Sequence, residues 1–206
     1  NPFRLGGSQY AASLGMWFNP VVGARLGINV QTMQNSTGTV DVLGAKMRRS
    51  YAMALGGARA ELMLNPLNFI SSWRNREGGN DFEVNMLVGA DLGGITKSGG
   101  SFKGDRLRMY YGWTSAMQFL YRINSPGTYI FVEPRVMSAK YNSLYGNTGV
   151  QTKTNDYLFS LGVGTRVYLT NPSFNPANSN DFVSHWWAGL DFGGVKTQHK
   201  STLHKQ

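Results

Sequence analysis

The strongest constraint on this chain is a strict two-residue alternation between apolar side chains and small or polar ones. Over 21–32 one row reads Val22, Ala24, Leu26, Ile28, Val30, and the other Gly23, Arg25, Gly27, Asn29, Gln31. Over 82–93 the apolar row is Phe82, Val84, Met86, Val88, Ala90, Leu92, opposite Glu83, Asn85, Leu87, Gly89, Asp91, Gly93. Over 156–169 it is Tyr157, Phe159, Leu161, Val163, Val167, Leu169, against Ser160, Gly162, Gly164, Arg166, Tyr168. Successive strand side chains point to opposite faces, so this period predicts strands and excludes helices. The same reading predicts strands over 9–18, 52–64, 106–123, 128–140 and 184–193. Several of these runs exceed the roughly 5–6 residues usual in soluble sheets.

The chemistry of the two rows points further. The apolar rows carry no charge for most of their length, while the opposite rows are built from glycine, serine, alanine and asparagine. A soluble sheet places charge on its outer face, and only 15% of this chain is charged, against roughly 25% in average domains. Glycine supplies 26 of 206 residues. A small-residue row makes a poor solvent surface but suits a crowded interior, leaving the large apolar row to meet lipid. The expected fold is all-β: a closed antiparallel transmembrane β-barrel of about eight strands. It takes up residues 1–195, followed by a basic polar tail over 196–206. Mean hydropathy is −0.28, and no apolar run approaches the ~18–20 residues of a membrane helix. Aromatics near predicted strand ends, at Trp17–Phe18, Tyr110–Tyr111, Tyr129 and Phe131, and Trp186–Trp187, fit girdles at a membrane surface.

The small-residue rows also carry charges of both signs: Arg25, Arg59, Arg108, Arg135 and Arg166, with Glu61, Glu83, Asp91, Glu133 and Asp191. A buried charge is stable only when paired, and eight strands leave a lumen just wide enough for its own side chains. A salt-bridged, closed lumen is therefore expected, and a charge-lined pore is its alternative.

Predicted connections fall into two sets. Tight turns at Asn19–Pro20 and at 124–127 share one side with longer segments over 65–80 and 171–181. The other side holds predicted loops over 34–49, 96–105 and 141–155, together with both chain ends. A basic rim of Lys46, Arg48, Arg49, Lys97, Lys103, Lys140 and Lys153 belongs to that side. Short turns normally face the periplasm, so this rim is expected to face outward, toward lipopolysaccharide phosphates or an acidic partner.

At Met16-Trp17-Phe18-Asn19-Pro20-Val21-Val22-Gly23-Ala24-Arg25-Leu26 the chain resembles the OmpA-type outer-membrane barrels of the Bacteroidetes kind. Ala60-Glu61-Leu62-Met63-Leu64-Asn65-Pro66-Leu67-Asn68 and 158–169 are similar to further strands of that family. The resemblance implies an eight-stranded barrel in the bacterial outer membrane. Its opening residues resemble the family's second strand, and His185–Gly194 its first. That implies either a permuted strand order or a segment of a longer barrel. The resemblance covers the barrel part of that family, so peptidoglycan anchoring is not among the functions it implies.

Other chemistry finds little footing. The chain has no cysteine, which removes disulfides, zinc-thiolate sites and thiol nucleophiles. No leader pattern opens it, so an export signal is expected to have been removed. Ser184 and His185 are adjacent strand residues and point apart, so with Asp191 they do not make a hydrolase triad. His199 and His204 lack carboxylate neighbours for a metal, and Gly162-Val163-Gly164 opens no helix, as a dinucleotide site requires. The sequon Asn35-Ser36-Thr37 has no bearing in a bacterial envelope. The net charge of +9 invites a nucleic-acid reading, yet cations and aromatics do not share one exposed strand face. No cofactor and no nucleic acid are expected. The expected role is non-enzymatic: a structural or accessory subunit of an envelope complex, in contact with outer-membrane lipid, lipopolysaccharide and other envelope proteins. A narrow pore and an envelope lipid-modifying enzyme are the alternatives.

Overall fold

The computed structural model describes residues 6–42, 45–70, 81–98, 107–124, 127–145, 150–169 and 185–200. The strands are β1 (Gly7–Trp17), β2 (Val22–Val42), β3 (Ala45–Leu64), β4 (Phe82–Ser98), β5 (Arg108–Asn124), β6 (Thr128–Tyr145), β7 (Val150–Tyr168) and β8 (His185–Lys200). Each pairs antiparallel with its chain neighbours, and β8 pairs with β1, closing an all-β barrel of eight strands.

The register fixes how the barrel is sheared. From Trp17, cross-strand partners run through Gly23, Met63, Leu87, Ala116, Arg135, Ser160 and Val195, and return to β1 at Gly7. One circuit thus climbs ten residues along β1, from position 17 to position 7. Such a stagger tilts the strands by about 35–45° and leaves an interior that side chains fill.

Local chemistry sets the tight turns. Asn19 Oδ1 accepts from the backbone N–H of Val21 at 2.8 Å and of Val22 at 2.7 Å, folding the chain back at Pro20. Gly127 takes a φ of 96°, a left-handed conformation open to glycine, and so closes the β5–β6 turn. After β3, Asn65 caps a one-turn 3-10 helix (Pro66–Phe69), accepting from Leu67 at 3.1 Å and Asn68 at 3.3 Å. Asn68 Nδ2 then donates to the Pro20 carbonyl at 2.6 Å, tying two connections together at this end.

The opposite end departs from the sequence reading. Residues 34–42 of β2 pair with 45–52 of β3, beyond the Gly7–Met33 pair that ends the β1–β2 ladder. Among the described residues this ribbon has no other strand beside it below Ala52–Ser98, the first β3–β4 pair. Residues 141–145 and 150–154 extend β6–β7 in the same way. Lys46, Arg48, Arg49 and Lys153 therefore stand on strands, where loops over 34–49 and 141–155 were expected. A ribbon that stands clear of the barrel has no core face, so its backbone pairs without leaving a two-residue hydrophobic signature. β8 likewise runs on to Lys200, opposite Asn155, so residues 196–200 continue the wall instead of opening a tail. Residues 201–206 lie outside the described residues.

Candidate functional site

Inward rows stack in three layers. At the tight-turn end Trp17, Met63, Leu87 and Trp187 form one apolar cluster, and Leu120, Tyr129 and Phe131 a second, with Tyr168 against both. Toward the ribbon end Met33, Met53, Leu55, Ile95, Tyr110, Met137, Leu158 and Val195 form another. Arg25, Arg59, Glu61, Asp91, Glu133 and Arg135 lie between. Along β3 the inward row reads Met53, Leu55, Gly57, Arg59, Glu61, Met63, and along β6 it reads Tyr129, Phe131, Glu133, Arg135, Met137.

Two arginines and two glutamates make the central cluster. Arg25 and Glu61 are cross-strand partners on β2 and β3, while Glu133 and Arg135 stand on β6, across the lumen. Arg25 lies 2.5 Å from Glu61 and 2.8 Å from Glu133. Arg135 lies 2.5 Å from Glu133, and it also pairs with Glu61 and donates to Thr114 Oγ1 at 2.5 Å. Side chains of all four are at most 2% exposed. Each carboxylate thus meets both guanidiniums, and the cluster is neutral as a unit. Charge-assisted, multiply bonded pairs of this kind are the strong ones, and they offset the cost of burying four charges.

The remaining charges find different partners. Arg59 Nε donates to Asp91 Oδ2 at 3.1 Å, and the Tyr110 hydroxyl donates to Asp91 Oδ1 at 2.6 Å. Arg166 sits over the Trp187 ring, 3.9 Å from its centroid, and donates to Gln118 Oε1. Gln118 Nε2 in turn donates to Glu133 at 3.0 Å, linking the lower aromatic layer to the central cluster. Asp191 accepts from Gln9 Nε2 at 3.3 Å, and Gln9 accepts from Gln31 at 3.2 Å. Glu83 lies near the Tyr129 hydroxyl and within electrostatic reach of Arg166 and Arg122. Among the described residues neither Asp191 nor Glu83 forms a salt bridge, so the lumen charges, expected to be mostly paired, divide into an ion-paired set and these two carboxylates. Asp191 lies on an inward row at a height where the neighbouring strand offers the Gln9 amide. Arg108, at the ribbon end of the inward row of β5, is half-buried and lies away from the central cluster.

Sequence reasoning also missed Gln9, Tyr110, Thr114 and Gln118, uncharged members of these networks. Their signal was available, since each stands on an inward row. It missed an exposed ion pair too, Arg122 with Asp81 at 2.7 Å, at the tight-turn end. The aromatic doublets divide: Trp17, Tyr110 and Trp187 are buried in the lumen, whereas Phe18, Tyr111 and Trp186 are exposed. Tyr129 and Phe131 are both buried. Neighbouring strand residues face opposite ways, so only one of each doublet can join an outer girdle.

The outer wall is apolar. Leu26, Ile28, Leu62, Met86, Val88, Phe119, Leu161, Leu190 and Phe192 are all exposed. Among the described residues the outward rows carry no charge until Lys140 and Lys196, both near the ribbon end. Lys97 stands at the same end of β4, and Lys103 lies outside the described residues, as do Ser184 and His204.

The fold and its filled lumen define a closed eight-stranded β-barrel, an architecture that fits an outer-membrane protein. No family model, no curated protein and no solved structure matches this chain.

Proposed function

We propose that this chain is a non-enzymatic β-barrel of the bacterial outer membrane, related to the OmpA-type barrels, that serves an envelope complex as a structural or accessory subunit. The observation that carries the reading is the neutral cluster of Arg25, Glu61, Glu133 and Arg135, sealed between apolar layers at both ends. A lumen filled in this way favours a scaffold over a pore. The charge-free belt of Leu, Ile, Val and Phe supports insertion, because a wall exposed this fully is soluble only against lipid.

Orientation follows from the connections. The tight turns at Asn19–Pro20 and Gly127 face the periplasm, and the β2–β3 ribbon stands outside. Lys46, Arg48 and Arg49 on that ribbon, with Lys97, Lys140 and Lys153 at the same end, meet lipopolysaccharide phosphates or an acidic envelope partner. Three measurements test this reading together. The protein fractionates with outer membranes, reconstituted barrels give no steady single-channel current, and envelope proteins co-purify after mild detergent extraction. Steady currents overturn the closed lumen, and recovery from the soluble fraction overturns the whole reading.

A further inference from the structure

One ladder of the barrel is incomplete. Among the described residues the other strand pairs run through the wall with no partner missing, and the irregularity at Thr37–Val40 lies in the ribbon beyond it. Between β5 and β6 the paired stretches are Thr114–Met137 to Ala116–Arg135 and Phe119–Val132 to Arg122–Tyr129, with Tyr111–Lys140 and Asn124–Thr128 at the two ends. Residues 112–113 and 117–118 of β5 therefore pass 138–139 and 133–134 of β6 without a ladder pair.

Pro134 accounts for the second gap. It has no N–H to give, and proline inside a sheet removes a ladder bond. The β6–β7 ladder runs unbroken through Pro134, opposite Leu161, so the missing donor falls on the β5 side, against Met117. At the first gap Gly112 passes so close to the Ser138 carbonyl that a Cβ would have no room.

Side chains bridge what the backbone leaves open. Gln118 Nε2 on β5 donates to Glu133 on β6 at 3.0 Å, and Arg135 on β6 donates to Thr114 Oγ1 on β5 at 2.5 Å. All four side chains are buried, and along the inward rows their two bonds bracket the unpaired Met117 and Pro134. Glu133 and Arg135 are bonded in turn to Arg25 and Glu61 across the lumen. β6 is thus held from inside by β2 and β3 as well as by β5.

We propose that the central ion cluster is a latch on a lateral seam: Gln118–Glu133 and Thr114–Arg135 hold β5 to β6 where the ladder is broken, and the wall parts there first when they are released. The latch belongs to the barrel itself and does not depend on what surrounds the wall. Elsewhere a cross-strand side-chain bond only adds to a complete ladder, as Gln9–Asp191 does between β1 and β8.

The test is hydrogen exchange of the folded full chain in detergent, read segment by segment by mass spectrometry. Thr114→Val and Gln118→Leu each speed exchange over 111–124 and 129–140 about tenfold, the effect of one lost hydrogen bond to a charged group. Neither changes exchange in β1 or β8. Gln9→Leu is the control, and it leaves exchange over β1 and β8 at the wild-type rate because their ladder is complete. Pro134→Ala restores an N–H opposite Met117, and in that background Thr114→Val has a smaller effect. Heat-dependent gel mobility verifies that each variant has folded, and Thr114→Val, which keeps the shape of the side chain, serves if Gln118→Leu does not fold. Equal acceleration through all eight strands by Thr114→Val overturns the proposal, since it marks a loss of global stability. An undiminished effect of Thr114→Val beside Pro134→Ala overturns it too, because the bond would then not stand in for the ladder. So does a Gln9→Leu effect on β1 and β8 as large as that of Thr114→Val on β5 and β6.

Discussion

The Arg166 guanidinium lies over the indole of Trp187, 3.9 Å from the ring centroid, inside the tight-turn end of the barrel. Gly15 is the cross-strand partner of Trp187, and a Cβ built there would stand 2.2 Å from the indole. The glycine is what lets a fully buried tryptophan lie across the lumen wall. Gly15→Ala is expected to cost about 1–3 kcal/mol, the range for overpacking a filled interior. Unfolding in urea from lipid vesicles, followed by tryptophan fluorescence, measures it. An unchanged midpoint and spectrum would show that the indole has room to move.

Gly57 plays the same part for a hydrogen bond. A Cβ there would meet the Tyr110 hydroxyl at 2.3 Å and Asp91 Oδ1 at 2.9 Å, the two groups that bond each other at 2.6 Å. Tyr110→Phe is expected to cost about 1.5–3 kcal/mol, as for hydrogen bonds to charged groups. Gly57→Ala is expected to cost less in the Tyr110→Phe background than in the wild type, because the hydroxyl it displaces is gone. A double-mutant cycle reads the coupling, and additive costs would refute it.

Glu133 contacts Arg25, Arg135 and Gln118 at once. Glu133→Gln leaves two buried guanidiniums short of charge and is expected to cost about 3–5 kcal/mol. Replacing Arg25 and Arg135 by Met together with Glu61 and Glu133 by Leu removes every charge of the cluster. That variant is expected to lose less stability than Glu133→Gln alone, since no charge is left uncompensated. A larger loss would mean that the ion cluster shapes the lumen beyond its own neutrality.

The outward wall gives the sharpest test of membrane insertion. Leu26 is 64% exposed within the stretch of β2 that pairs with β1, and Leu107 is 68% exposed at the rim before β5. In a bilayer Leu26→Arg is expected to cost about 2–4 kcal/mol and Leu107→Arg about 0–1. In water both substitutions at such exposed positions would be near neutral. Equal small costs, measured by reversible folding into vesicles, would retire the membrane reading.

Much of the wall was legible from the chain alone. The rows of β2, β4 and β7 read as alternating, and the structure turns Leu26, Ile28, Met86, Val88 and Leu161 outward and Arg25, Asn29, Asp91 and Arg166 inward. The lumen was legible only as a set of residues. Its apolar layers escaped notice because Met33, Met53, Leu55, Met137 and Leu158 share a height only once the barrel has closed, and nothing in their own strands marks them as one layer. The ribbon escaped because strands without a core face leave no hydrophobic period.

Parity is a local property: a strand residue points away from its neighbours whatever the rest of the chain does, so the sequence by itself determined strand type, inward and outward rows, and the balance of lumen charge. Pairing is not local. Arg25 meets Glu133, 108 positions away, only because eight tilted strands close with a ten-residue stagger that brings β2 and β6 to one height. The same stagger leaves Asp191 beside Gln9 and Arg166 over Trp187. Which charges share a layer depends on strand tilt and closure, and these exist only once the whole barrel has formed.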